Sequence, residues 1–150
     1  MRFTLFAAAI AGLCACSSGD VPTPTGATCP PEGTTLTYDN FAKPFMEAYC
    51  TRCHASTLHG ADRHGAPFAH DFDTEVGILN VHEHVDEQSA AGPDAINRFM
   101  PHDGMAAPTD EERFELGIWI PCRLGTFGRP DARPVDAATP DAATPDAAVQ

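Results

Sequence analysis

The sequence is poor in basic residues, in aromatic residues and in long apolar runs. It has 9 Lys and Arg residues against 21 Asp and Glu residues, a formal charge of −12, and only 8% of its residues are aromatic. This charge, together with the lack of any Lys/Arg cluster, excludes a nucleic-acid-binding surface. At 150 residues and with so few aromatic side chains, the chain is expected to form one small, acidic domain.

Residues 1–15 are predicted to be an export signal. Arg2 supplies a positive charge, and the apolar run over residues 3–13 is too short to span a membrane stably. Leu13-Cys14-Ala15-Cys16 resembles the lipobox of bacterial lipoproteins, in which cleavage exposes a cysteine that carries the lipid. This resemblance implies lipidation at Cys16 and a location on the periplasmic or cell-surface face of a bacterial membrane. The alternative is an ordinary cleaved signal that releases a soluble product.

Low-complexity segments flank the predicted domain on both sides. Residues 16–28 are mostly Ser, Gly, Pro and Thr, a composition typical of a flexible tether. Residues 129–150 contain, from Asp136 onward, repeats of Asp-Ala-Ala-Thr-Pro, in which proline breaks any helix and no side chain is large enough to pack. We therefore predict a domain over residues 29–128 and a disordered tail over residues 129–150.

Cys50, Cys53 and His54 form a C-x-x-C-H run, which is the attachment signature of a c-type haem. The two thiols can each add to a haem vinyl group, and the imidazole after the second thiol can bind the iron. A dithiol redox pair would need a thioredoxin-like βαβ context, which the sequence lacks. A zinc site would need a second close Cys/His pair, and His82 and His84 do not resemble one. We therefore expect one covalently attached haem c.

The remaining cysteines support this division of the chain. Of the six cysteines, Cys14 leaves with the signal, Cys16 takes the lipid, and the haem motif takes two. Cys29 and Cys122 remain, one near each end of the predicted domain. In an oxidising exported compartment these two are expected to form a disulfide.

The apolar pattern predicts helices and no strands. Phe41, Phe45 and Tyr49 recur at helical spacing before the haem motif, in a helix that should begin no earlier than Asn40 because of Pro44. Residues 55–70 are rich in Gly and His and predict a loop whose histidines are solvated. A second helix should begin at an Asp73 N-cap and end at Gly92-Pro93, with an apolar face of Val76, Leu79, Val81 and Val85.

Two more helices complete the prediction. Pro93 suits the first turn of a short third helix that carries Ile96 and Phe99. Thr109 and Glu112 form a capping box for the last helix, which Pro121 should close. Gly117 inside that helix favours a close helix–helix approach.

The order of these parts resembles the class I c-type cytochromes over residues 38–122. The shared features are a helix running into C-x-x-C-H, a Met-Pro pair at Met100-Pro101 and a terminal helix with Trp119. This resemblance implies a small all-α domain around one covalently bound haem. It also implies roles for four residues: Cys50 and Cys53 hold the haem, His54 is the proximal iron ligand, and Met100 is the distal ligand.

The distal ligand has two rivals. The end of the chain also resembles small exported cytochromes with an "MPP…WI" pattern, but His102 replaces their second proline. His102 and Met105 therefore stay open as alternatives. Met100 is preferred because Pro101 stiffens its loop and because the family places its ligand just before such a proline.

His/Met ligation leaves no open iron position for a substrate, and a thioether ligand favours ferrous iron. The sequence therefore predicts an electron carrier rather than an enzyme, with redox proteins as partners. Its acidity is compatible with steering of a basic partner and equally with solubility alone. The alternative is a haem enzyme or gas sensor with a labile sixth ligand, and a third possibility is a structural haem in a larger complex assembled through the tail.

Overall fold

The computed structural model describes residues 21–102 and 104–126. These residues contain no β-strand, only one isolated antiparallel bridge between Ala91 and Ile96, which confirms the all-α prediction for this part of the chain. The helices are α1 (Lys43–Tyr49), α2 (Glu75–Asn80), α3 (His82–Ser89) and α4 (Asp110–Thr126). A π-helical turn, Tyr38–Ala42, leads into α1, and a 3₁₀ turn, Gly60–Arg63, lies between α1 and α2. The predicted signal peptide, the Cys16 lipidation site and the repeat tail over 129–150 lie outside the described residues.

The first helical segment begins with a side-chain cap. Thr37 and Asn40 form a reciprocal capping box, in which each side chain accepts a hydrogen bond from the backbone N–H of the other residue. The regular α-helix starts at Lys43, in agreement with the limit predicted from Pro44, and the π-helical turn precedes it. Pro44 lies in the first turn of α1, the part of a helix in which proline is best tolerated.

The predicted second helix is two helices. Thr74 and not Asp73 is the N-cap of α2, because the Thr74 hydroxyl accepts from the backbone N–H of Gly77 at 3.1 Å. The Asp73 carboxylate instead accepts from the hydroxyl of Ser56 at 2.6 Å. Val81 has non-helical backbone angles and separates α2 from α3. The break leaves apolar residues of both helices, Ile78, Leu79 and Val85, in the core.

The predicted third helix is absent. The backbone between α3 and Phe99 makes tertiary hydrogen bonds instead: Asn97 donates to the carbonyl of Ala90 at 2.9 Å, and Asp94 donates to the carbonyl of Thr25 at 3.0 Å. Together with a bond from the Gly92 N–H to the Ala95 carbonyl at 2.9 Å, these bonds fold the segment between Ala91 and Ile96 into a turn. The apolar spacing of Ile96 and Phe99 therefore does not lead to a helix. Ile96 remains 40% exposed.

The predicted tether is too long, because its last residues pack on the domain. Thr25 is 1% exposed, and its backbone N–H and hydroxyl both donate to the Asp86 carboxylate, at 2.8 and 2.6 Å. The carbonyl of Thr23 accepts from the Asn97 side chain at 2.7 Å. The folded domain therefore begins before Cys29, where composition alone placed its start.

Helix α4 begins as predicted and ends later than predicted. The Thr109–Glu112 capping box is present, with the Thr109 N–H donating to the Glu112 carboxylate at 2.8 Å. Pro121 lies inside the helix, which continues to Thr126. Contacts with other elements hold this last turn: Arg123 forms an ion pair with Glu75 of α2 at 2.7 Å, and the sulfurs of Cys122 and Cys29 lie at disulfide-bonding distance, with Cα atoms 4.7 Å apart.

The core lies between α1, α2, α3 and α4, and Trp119 and Met46 are its largest fully buried side chains. Gly117 does allow a close approach, but not between helices. A Cβ at Gly117 would collide with the carbonyl oxygen of Ala91, in the segment that follows α3. Among the described residues, no helix has both the length and the apolar character needed to cross a membrane.

Candidate functional site

The C-x-x-C-H run forms the turn that follows α1. The N–H groups of Cys53 and His54 both donate to the carbonyl of Cys50, at 3.1 and 3.0 Å. This turn brings both thiols and the imidazole to one side of the chain. Both cysteines are free thiols, and burial raises the pKa of the Cys50 thiol to about 12.

The His54 ring is held on two sides. Its Nδ1 lies 3.2 Å from the carbonyl oxygen of His70, and its face stacks on Phe72 with ring centroids 4.5 Å apart and planes 12° from parallel. Burial lowers the pKa of His54, which favours the neutral imidazole that binds metals. With Nδ1 bonded to a carbonyl, Nε2 is the ring nitrogen that remains for an iron ion.

A cavity of about 710 Å³ lies beside the motif, within the size range of cofactor pockets. All four residues that sequence analysis assigned to the cofactor border it. So do the two rival distal ligands, His102 and Met105. The apolar part of its wall includes Phe45, Met46, Phe72 and Val85.

All three candidate distal ligands border the same cavity, so bordering it does not by itself select one of them. Met100 reaches the cavity from the segment after α3, and His102 and Met105 come from the loop before α4. Met46 also borders the cavity, but it lies on α1 one turn before Cys50. This position is beside the attachment turn rather than across the cavity from His54.

Histidines make part of the cavity wall polar, which sequence analysis missed. His64 and His70, predicted as solvated loop residues, border the cavity together with His84. The rings of His70 and His84 stack, and their nitrogens lie 2.9 Å apart. Within the described residues, no group of three or more His, Cys, Asp or Glu side chains is placed to bind a metal ion.

Arg63 organises the loop that carries His70, and sequence analysis did not single it out. The side chain is buried and forms an ion pair with Asp71 at 2.8 Å. Its Nη2 donates to the His70 carbonyl at 3.1 Å, so Arg63 and His54 share one acceptor. Its other hydrogen bonds go to loop carbonyls, of Ala55, Leu58, Ala66 and Pro67.

Arg113 is a second buried arginine beside the site that sequence analysis did not single out. It is buried on α4, and one of its hydrogen bonds goes to the carbonyl of Met100. A sequence signal existed: Arg113 precedes Leu116 and Ile120 at helical spacing, so it lies on the apolar face of the helix. A charged residue on such a face is either exposed at its tip or held by buried partners.

Comparisons of the chain with protein-family models, with curated proteins and with solved structures found no significant match.

Proposed function

We propose that the chain is an exported, lipid-anchored c-type cytochrome with one covalently bound haem that carries electrons between redox proteins. One observation carries the proposal. Two thiols, a carbonyl-bonded imidazole and a thioether, from Cys50, Cys53, His54 and Met100, border one cavity of cofactor size. This donor set matches the chemistry of haem c, which takes thioether bonds from two cysteines and axial bonds from His and Met.

Each residue has a defined part in this function. Cys50 and Cys53 hold the cofactor covalently, and His54 presents Nε2 because the His70 carbonyl occupies Nδ1. Met100 would supply the second protein ligand of the iron. When bound, the haem supplies one-electron exchange between ferrous and ferric iron. The apolar side chains of the wall would exclude water from the haem, and ligation by both His54 and Met100 would leave the iron no place to bind a substrate.

The expected partners are redox proteins, and the charge of −12 favours partners with basic docking surfaces. Lipidation at Cys16 would place the domain at the periplasmic or cell-surface face of a bacterial membrane. A Cys16→Ser variant should then leave the membrane fraction. The same variant should keep its haem, since residue 16 precedes the folded domain.

A second candidate function is a haem enzyme or gas sensor with a labile sixth ligand. The histidines of the cavity wall favour it, because His64 and His102 provide the polar groups that a distal pocket needs. The two functions differ in a simple test. An electron carrier with His/Met ligation resists CO, whereas a protein with an open or labile position binds CO rapidly when reduced.

The test starts from the full chain expressed with a haem-attachment system. We expect haem that remains with the polypeptide under denaturing conditions and a thioether-to-iron absorption band in the oxidised protein. The Cys50→Ser/Cys53→Ser variant should lose the covalent haem. The Cys29→Ser/Cys122→Ser variant is the matched control and should keep it. Wild-type protein that takes up no covalent haem would reject the proposal, and rapid CO binding would replace the carrier by the second candidate.

A further inference from the structure

Arg113 lies buried between helix α4 and the segment that carries Met100. The residue as a whole is 2% exposed. The Nη1 atom donates to the carbonyl of Ser89 at 2.7 Å, of Asn97 at 2.8 Å and of Met100 at 3.1 Å. Three backbone carbonyls from two segments therefore converge on one nitrogen of one side chain.

This guanidinium also lies at the carboxyl end of α3. Ser89 is the last residue of that helix, and its carbonyl is one of those that a helix leaves without an internal partner. A cation is favourable at this end of a helix because the helix dipole is negative there. Arg113 therefore stabilises the end of α3 and ties it to the Met100 segment.

The backbone of Met100 is held on both sides. Its N–H donates to the carbonyl of Gln88 on α3 at 3.0 Å, and its carbonyl accepts from Arg113 on α4. The rival ligands are held less firmly. Between described residues, the backbone hydrogen bond of Met105 goes to His102 at 3.3 Å, within the same loop, and no bond joins either residue to a helix.

We propose that Arg113 is the positioning residue that makes Met100, rather than Met105 or His102, the sixth ligand of the iron. This inference rests on the proposed haem-binding function. A ligand whose backbone is already fixed loses little freedom when it binds, whereas a ligand on a loosely held loop must be ordered first. Removing the Arg113 side chain loosens Met100 and leaves three buried carbonyls without their donor.

Two substitutions separate the role of the positive charge of Arg113 from the role of its side-chain length. Arg113→Met removes the donor but keeps much of the apolar stem. Arg113→Lys keeps a cation with three donor hydrogens on one nitrogen. Because the Lys side chain is shorter, it should not reach all three carbonyls, and we expect an intermediate effect. Arg98→Met is the matched control. Arg98 lies two residues before Met100, but its side chain is exposed and paired with Asp110 at the surface.

Every protein in this experiment, the reference included, carries Met105→Leu, because a thioether from Met105 would give the same absorption band as one from Met100. The experiment follows the thioether-to-iron band of the oxidised, haem-loaded full chain as the pH is raised, with far-UV circular dichroism to verify folding. We expect Arg113→Met to lose more than half of the band at pH 7, and Arg113→Lys to lose it at a lower pH than wild type. Arg98→Met should behave as wild type. Adding His102→Asn to Arg113→Met should restore part of the band, because the rival imidazole is then gone.

The outcomes distinguish this inference from the proposed function. Wild-type protein without covalent haem or without the band would overturn both. A normal wild-type band that Arg113→Met leaves unchanged, with the same pH dependence, would overturn the role of Arg113 alone. If Arg113→Met does not fold, Arg113→Lys decides: an unshifted pH dependence overturns the inference, and a shift to lower pH supports it.

Discussion

His54 and His70 are joined through one hydrogen bond, between Nδ1 of the first ring and the backbone carbonyl of the second residue, at 3.2 Å. Arg63 donates to the same carbonyl, so the position of the acceptor is itself fixed. Phe72 completes the arrangement by stacking on the His54 ring. The orientation of the proposed proximal ligand therefore depends on the loop that follows it and not on the C-x-x-C-H motif alone.

The stacking contact can be tested with a matched pair of phenylalanines. Phe72→Leu should lower the free energy of unfolding by about 1–2 kcal/mol, because it removes buried aromatic contacts with His54. Phe68→Leu, four residues away on the same loop and 91% exposed, should change it by less than about 0.5 kcal/mol. Denaturant unfolding of the haem-loaded protein measures both. Equal effects of the two variants would contradict the role of the stack.

The distal ligand can be tested by exchange. Met100→His should keep the haem covalently bound, because Cys50 and Cys53 hold it independently. It should lower the reduction potential by on the order of 0.1 V, since axial ligands set haem potentials over a range of about 0.8 V. Met105→His is the matched control and should leave the potential unchanged. The reverse result, from potentiometric titration of both variants, would reassign the ligand to Met105.

The Cys29–Cys122 pair should stabilise the domain without affecting the haem. The two cysteines are 93 positions apart, and a crosslink that closes a loop of this length contributes roughly 4–5 kcal/mol in the chain-entropy account. Cys29→Ser/Cys122→Ser should lose stability of this order in denaturant unfolding. Its absorption spectrum should match that of wild type, and a change as large as that of a ligand variant would contradict a purely structural role.

Two glycines of α4 should respond in opposite ways to alanine. Gly117→Ala should destabilise the protein by about 1–3 kcal/mol, because the new methyl group collides with the carbonyl of Ala91. Gly125→Ala has open space around the new methyl group, so the higher helix propensity of alanine should stabilise by up to about 1 kcal/mol. Thermal unfolding of the two variants gives the comparison. A neutral Gly117→Ala variant would show that the segment after α3 can move away.

The capping carboxylate of α4 should make stability depend on acid pH. Hydrogen bonds, first from the Thr109 backbone N–H and then from the Thr109 and Tyr49 hydroxyls, hold the pKa of Glu112 below its usual 4.5. A carboxyl with a lowered pKa in the folded chain stabilises the fold above the unfolded pKa, and this contribution is lost as the pH falls through the folded value.

Glu112→Gln should therefore cost about 0.3–1 kcal/mol near pH 7, because the amide oxygen still accepts from Thr109 but the negative charge that is favourable at a helix N-terminus is lost. The difference from wild type should shrink as the pH falls below 4.5. Glu115→Gln, on the same helix but outside the capping box, is the control and should show a smaller and less pH-dependent change. Urea unfolding across this pH range measures all three proteins, and a pH-independent difference would contradict the capping account.

Features set by neighbouring residues could be predicted from the sequence. The aromatic stripe that runs from the π-helical turn into α1 is confirmed, with ring centroids 5.7 Å apart for Phe41 and Phe45. The Thr109–Glu112 capping box is confirmed as well. The C-x-x-C-H run borders the cavity, so the motif alone indicated where the candidate site lies. In each case the interacting groups are within a few positions of one another, so backbone geometry alone brings them together.

Features set by distant residues could not. The spacing of Ile96 and Phe99 predicted a helix, but the bond from Asp94 to Thr25 and the turn between Ala91 and Ile96 replace it. Pro121 predicted a helix end, but Arg123 and Cys122 hold the next turn against Glu75 and Cys29. Composition placed Thr25 in the tether, because its hydrogen-bonding partner, Asp86, is 61 positions away in the sequence.

The sequence by itself determined the helical class of the described chain, the location of the candidate site and the identity of its possible ligands. The tertiary structure decided which carbonyl binds His54 and which side chain binds the carbonyl of Met100. The two carbonyls, of His70 and Met100, each accept a hydrogen bond from a buried arginine, Arg63 and Arg113 respectively. A backbone carbonyl is the same at every position of the chain, so only the fold can assign it a partner.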